Sequence, residues 1–168
     1  MSMGQPTVEV DGLAAPRPQG ALQTLLVFRL AEERFALPVD DVVEVIEPTS
    51  ATPVPHGPPH SRMLVNVRGV ITPLIDLRQR LRIPPTDGAI ANRFVVLDIL
   101  LDGTTQRIAF AADEVETVLE ADSTALEPMP RLASRWPATL VQGVCRDAVG
   151  VIFLLYPDRL FDPADMAG

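Results

Sequence analysis

Apolar residues in this chain come in short runs, each broken by glycine, proline or paired acids. Residues 24–31, TLLVFRLA, predict a first strand, with Arg34 to Leu37 returning as its hairpin partner across Glu32-Glu33. Residues 42–47, VVEVIE, alternate. Val43, Val45 and Glu47 would share one strand face, and Val42, Glu44 and Ile46 the other. Glu44 then lies between two apolar neighbours on its own face, an odd place for a surface acid. Residues 48–60, PTSATPVPHGPPH, are too rich in proline for a helix interior or a central strand, and predict an ordered loop across a barrel end.

The stretch 63–81 carries a strand at Met63 to Val67, a break at Arg68-Gly69, and a second strand over 70–75. Asp76 then opens a short helix, residues 76–81, in which Leu77 and Leu81 share a face. Pro73 cannot donate to a sheet ladder, so it marks an edge position or a bulge. After a break at 83–91, residues 93–101 and 106–112 predict a hairpin around Asp102-Gly103. Residues 113–120 follow, then a looser stretch, 121–137. Segments 139–145 and 149–155 complete the core, and 157–161 is a closing helical turn with proline at its first position. Residues 1–22, rich in Pro, Gly and Ala, predict a mobile tail, and 163–168 a second one.

Two halves of this pattern repeat. RFALPVDDVVEVIE, residues 34–47, matches RIAFAADEVETVLE, residues 107–120, at six of fourteen positions, where unrelated stretches would share roughly one. The likeness extends to Pro53-Val54-Pro55 against Pro128-Met129-Pro130, and to TPLIDLRQRL against IFLLYPDRLF. Each half holds about five short strands and one closing helix, a size that closes most easily as a small β-barrel. The expected fold is mainly β: two five-stranded barrels related by a pseudo-twofold, the first over about 35–90 with strands exchanged from the ends, the second over about 91–155.

Composition narrows function by exclusion. The 168 residues are 47% hydrophobic, enough for a real core. Net charge is −8 and the pI about 4.7. An acidic chain with few aromatic residues makes a poor nucleic-acid binder, the first rival reading, and adsorbs poorly to an anionic membrane. The single cysteine, Cys145, excludes an internal disulfide and suits a reducing compartment. No secretory signal and no run long enough to insert into a membrane occurs, so the reading is a cytoplasmic protein.

Candidate chemistry is sparse, and no cofactor is expected. His56 and His60 have helical metal-ligand spacing, but Gly57-Pro58-Pro59 between them forbids the helix. No phosphate-binding glycine motif occurs. The acid pairs Asp40-Asp41 and Asp113-Glu114 recur at equivalent places in both halves, which suits turns better than an acid/base pair, the basis of a second rival reading as an enzyme. Arg78, Arg80 and Arg82 read as a solvated helix face. Glu44 and Arg68 remain, each a charge inside an apolar strand region and each absent from the second half, where Thr117 replaces Glu44. A charge in such a run needs a partner or water. Glu44 and Arg68 are therefore expected to pair near one end of the first barrel.

NVRGVITPLIDLRQRL, residues 66–81, resembles the signature of the CheW family. The hairpin LLVFRLAEERFALPVDDVVEVIE, the proline-rich loop and the GV…VIFLL ending are also similar, so the resemblance covers residues 23–162. It implies two SH3-like barrels and a non-enzymatic adaptor of bacterial chemotaxis, recruited from the cytoplasm to membrane-bound receptor arrays. The implied partners are the cytoplasmic tip of a methyl-accepting chemoreceptor and the regulatory domain of a CheA-type histidine kinase. Matching positions place Glu44 and Arg68 at an ion pair beside a receptor-binding groove, with Val42, Asn66, Val67 and Gly69 near it. A CheW-like scaffold of a pilus or surface-sensing pathway would look similar. Met63 stands where the family usually has glycine, whereas the second half keeps Gly143.

Overall fold

The computed structural model describes residues 22–56, 63–84, 92–129, 136–137 and 139–162. The expectations for the two tails, for His60 and for most of the 83–91 break lie outside these residues.

Eleven strands form two sheets among the described residues. In chain order they are β1 (Leu22–Leu30), β2 (Glu33–Pro38), β3 (Val42–Ile46), β4 (Ala51–Pro53), β5 (Met63–Val67), β6 (Val70–Ile75), β7 (Arg93–Leu101), β8 (Thr104–Ala112), β9 (Glu114–Asp122), β10 (Val141–Arg146) and β11 (Val151–Leu155). Short helices follow β6 and β11: α1 (Leu77–Arg80) and α2 (Pro157–Leu160). The five-stranded sheet runs β10-β11-β2-β1-β9, and the six-stranded sheet β3-β7-β8-β6-β5-β4.

These two orders are the same order once the repeat is applied. Hairpin β1–β2 corresponds to β7–β8, β9 to β3, and β10–β11 to β5–β6. Each sheet therefore joins one half's hairpin to the other half's later strands. A division near residue 90 is thus not the division between the sheets, because β7 and β8 lie with β3 to β6. Parallel pairs join the hairpins within each sheet: Leu154 beside Ala36 in one, Leu74 beside Ala109 in the other.

The exchange explains the continuous apolar runs of the hairpins. On β1, Leu25 and Val27 point into the five-stranded sheet's own core with Ala36, Ile152 and Leu154. Leu26, Phe28 and Leu30 point the other way, into a core shared with Val95, Leu97 and Ile99 of β7. Phe94 and Val96 fill the interior of the six-stranded sheet with Val65, Val67 and Ala109. A strand buried on both faces has no place for alternation. Phe28 meets Phe110 at 4.9 Å between ring centroids, and Phe110 meets Phe161 at 6.1 Å, so aromatic rings bridge the sheets. Burying each such ring contributes roughly 1.5–3 kcal/mol.

Local rules hold at the breaks. Asp76 caps α1, accepting from the Arg78 and Gln79 amides, and Leu77 and Leu81 are both buried. Pro73 faces Leu64 of β5, but β6 gains its second neighbour only at Leu74, so the proline occupies a local edge. Within the proline-rich loop, Ala51–Pro53 form the outermost strand of the six-stranded sheet, a short edge that the composition hid.

Candidate functional site

The site grows from a two-residue turn. Val67 pairs with Val70, so Arg68 and Gly69 alone connect β5 to β6. Both have positive φ, 51° and 85°, the geometry that matches the twist of a hairpin. Gly69 is there for that φ: a side chain would meet nothing within 4 Å, but would carry the left-handed penalty. Asn66 secures the turn, its Oδ1 accepting the Gly69 amide at 2.7 Å.

Arg68 leaves this turn and donates through Nε to both Glu44 oxygens, at 3.0 and 2.9 Å. The expected pair therefore exists. It is lopsided, with 77% of the Arg68 side chain exposed against 19% for Glu44. Arg68 holds the Glu44 carboxyl below the usual carboxylate range, with a smaller contribution from Arg107. Arg107 itself is engaged by Asp98 across the β7–β8 hairpin, at 2.9 and 3.0 Å. A bulge between Val42 and Glu44 breaks the expected alternation: Val42 turns to the core between the sheets, Glu44 shares its face with half-buried Ile46, and Val43 and Val45 are 40% and 37% exposed.

The six residues expected at the groove thus separate. Glu44, Asn66, Arg68 and Gly69 converge on one corner. Val42 instead packs on the core between the sheets, and Val67 lies inside the barrel at 1% exposure. Neither presents a side chain at the corner; each anchors the strand that carries its neighbours. Val70 and Ile71, next in the chain, are 44% and 62% exposed and supply the corner's apolar surface.

Arg34, Arg78 and Arg80 make contacts that escaped the sequence reading. Arg34 is buried and donates to both Asp147 oxygens at 2.9 and 2.8 Å, and through Nε to Glu116 at 3.0 Å. Asp147, in the turn between β10 and β11, also accepts from the Val149 and Gly150 amides. Arg34 chiefly, then the Gly150 amide, holds the Asp147 carboxyl far below the carboxylate range. The contacts of Arg78 and Arg80 correct the reading of the basic helix face. Arg78 bonds Asp113, and Arg80 donates to the Leu160 and Arg159 carbonyls at 2.9 Å each. One available signal was the repeat, which keeps arginine at 34 and 107.

Among the described residues no group of three metal-ligating side chains occurs, and no helix is long and apolar enough to cross a membrane. Cys145 is buried, and burial pushes its thiol up, away from reactivity.

Comparison with known proteins shows the family and the fold. A probable chemotaxis protein CheW of Rhizobium etli is 25% identical over 141 residues, covering 84% of this chain and 88% of that protein. The chemotaxis protein CheW of Bacillus subtilis is 27% identical over 111 residues, 64% of this chain and 67% of its own length. The crystal structure of the scaffolding protein TtCheW from Thermoanaerobacter tengcongensis superposes with a TM-score of 0.72 at 27% identity, covering 94% of this chain and 96% of that one. The family model for the CheW-like domain matches residues 24–165, and the chain belongs to that family, whose members are scaffolds rather than enzymes.

Proposed function

We propose that the protein is the adaptor of a chemotaxis array, joining a methyl-accepting receptor's cytoplasmic tip to the regulatory domain of a CheA-type kinase. The observation that carries this reading is the corner where Glu44 meets Asn66, Arg68 and Gly69 of the signature-like stretch, held by side-chain and ionic bonds with Arg68 exposed. A fixed turn presenting a cation beside exposed Val70 and Ile71 suits a helical hairpin with an apolar stripe and a polar flank. Val42 and Val67 act behind the corner, as anchors of the strands that hold it.

The kinase regulatory domain is itself CheW-like by the family's pattern, so it would meet a barrel like these. Val45 and Val118 occupy equivalent repeat positions, and both are exposed. Ile71 and Val151 are likewise equivalent through their parallel partners, and both keep surface in solvent. The pseudo-twofold therefore repeats one apolar motif on both barrels, and a like barrel can use either. Individually modest contacts gain strength when many are engaged in an array.

The test is reconstitution of receptor-dependent kinase activation with Arg68→Glu, which places two carboxylates together at the corner. Activation should be lost while the folded spectrum is retained; full activation by this variant sinks the assignment of the corner. Pull-down of the kinase regulatory domain by the same variant separates a lost receptor contact from a lost scaffold role.

A further inference from the structure

We infer that α1 is a clamp that fixes the angle between the two sheets, through Arg80 on one side and Arg78 on the other. Residues two apart on a helix point about 200° away from each other. These two arginines therefore leave α1, which continues β6 of the six-stranded sheet, in opposed directions: Arg80 reaches α2, which follows β11 of the five-stranded sheet, and Arg78 reaches Asp113, the link from β8 to β9.

Arg80 takes the end of α2. Its Nε donates to the Leu160 carbonyl and its Nη2 to the Arg159 carbonyl, each at 2.9 Å. Carbonyls at a helix C-terminus lack intrahelical partners, so a forked guanidinium is well matched to them. Arg78 takes Asp113, at the point where the chain crosses from β8 in one sheet to β9 in the other. Asp113 in turn accepts the Ala31 amide at 2.6 Å and donates its own amide to the Arg29 carbonyl at 3.0 Å. Ala31 is held at φ 57° in the β1–β2 turn. The Arg78 Nη1 is fully enclosed and has no partner among the described residues, so the side chain is placed there at a cost.

Leu77, Leu81, Leu160 and Phe161 of the two helices and their ends join one buried apolar cluster. Such packing is non-directional and tolerates sliding, whereas hydrogen bonds do not. The clamp occurs once. Equivalence of Leu74 with Leu154 puts exposed Asp158 at the place of Arg78 and buried Leu160 at the place of Arg80. The pseudo-twofold is thus broken where the sheets meet.

The inference concerns geometry alone and stands or falls apart from the adaptor reading. Spin labels at Gln142→Cys on β10 and Gln106→Cys on β8, in a Cys145→Ala background, report the distance between the sheets by pulsed dipolar spectroscopy. Arg80→Met and Arg78→Met should each widen the distribution and move its mean by about 1–2 Å, the scale of sliding at packed helices. Arg146→Met, which breaks an exposed pair within the five-stranded sheet's own barrel, should change nothing. Unchanged distributions in folded Arg80→Met and Arg78→Met overturn the clamp, as does equal widening in Arg146→Met. If Arg80→Met fails to fold, Arg78→Met decides: widening supports the clamp and no change overturns it.

Discussion

The corners of the two barrels occupy matching places and have opposite electrostatic designs. Arg34 and Arg107 are equivalent in the repeat, and their hairpin partners are Arg29 and Asp98. In the six-stranded sheet Asp98 satisfies Arg107 directly, so Glu44 on β3 is left for another cation, and the turn supplies Arg68. In the five-stranded sheet the hairpin neighbour is a second arginine, so Arg34 must find acids elsewhere. It takes Glu116 from β9 and Asp147 from the turn. A single sign change across one hairpin thus reverses the charge required of the turn. It also reverses exposure: Arg34 has 9% of its side chain in solvent and Arg68 has 77%. One corner is an interior joint, and the other faces outward.

The largest effect that this contrast predicts is on stability, and on one side only. Arg34→Ala strands two carboxylates around a buried site and should destabilise the fold by on the order of 3 kcal/mol, read as a fall in the urea midpoint. Arg68→Ala removes a largely solvated partner and should leave that midpoint almost unmoved. Equal losses in the two variants would mean that the corners are not different in kind.

The contrast reverses when binding is measured. Arg68→Glu should weaken capture of a receptor tip by roughly tenfold or more, with the steepest loss at low salt. The exchange Glu44→Arg with Arg68→Glu should recover part of it if the two side chains act as a pair. Additive damage in the double variant would show that each contacts the partner separately.

Acid should find the interior joint first. The folded Asp147 carboxyl is depressed by Arg34 and by the Gly150 amide, so its contribution is fully present above the unfolded carboxylate value of about 4. It is lost as the pH falls from there toward the folded value. Asp147→Asn should lower stability at neutral pH and make the acid limb of a stability–pH curve shallower. Glu44, Asp98 and Glu127 are also held low by arginines, so some slope will remain.

How much of this could be read from sequence depends on what each residue's neighbours are in the chain. The Glu44–Arg68 pair was legible because both charges interrupt apolar segments and neither has a counterpart in the second half. The hairpins were legible from their runs and from Asp102-Gly103, both of which have positive φ. Arg34 was not, because an arginine at the start of a short strand beside two acids looks solvated; its partners lie 82 and 113 positions away. The arginines of α1 misled for the same reason, since their acceptors are a turn acid and the carbonyls of a distant helix. An exchange of strands was expected, but not which hairpin joins which sheet, because a repeat shows equivalence and not which copy pairs with which.

The smallest effect tests the equivalence itself, at Gly143 and Met63. Both face the same place: Gly143 opposes Leu154 and Met63 opposes Leu74, and those leucines pair with equivalent alanines. The second half has no room there. A Cβ on Gly143 would lie 3.1 Å from the Glu127 carbonyl oxygen and 3.1 Å from the Leu126 Cβ. In the first half the strand alongside is β4, with Pro53 opposite Met63 and the small Ala51 where Leu126 would stand. Glycine is therefore a packing requirement of one barrel and not of the other. Gly143→Ala should cost about 1 kcal/mol through local overpacking. The same variant combined with Leu126→Gly should lose less than the two changes summed, since glycine removes the Cβ that crowds position 143. A fully additive pair would place the obstruction at the Glu127 carbonyl, which no side-chain trimming can relieve.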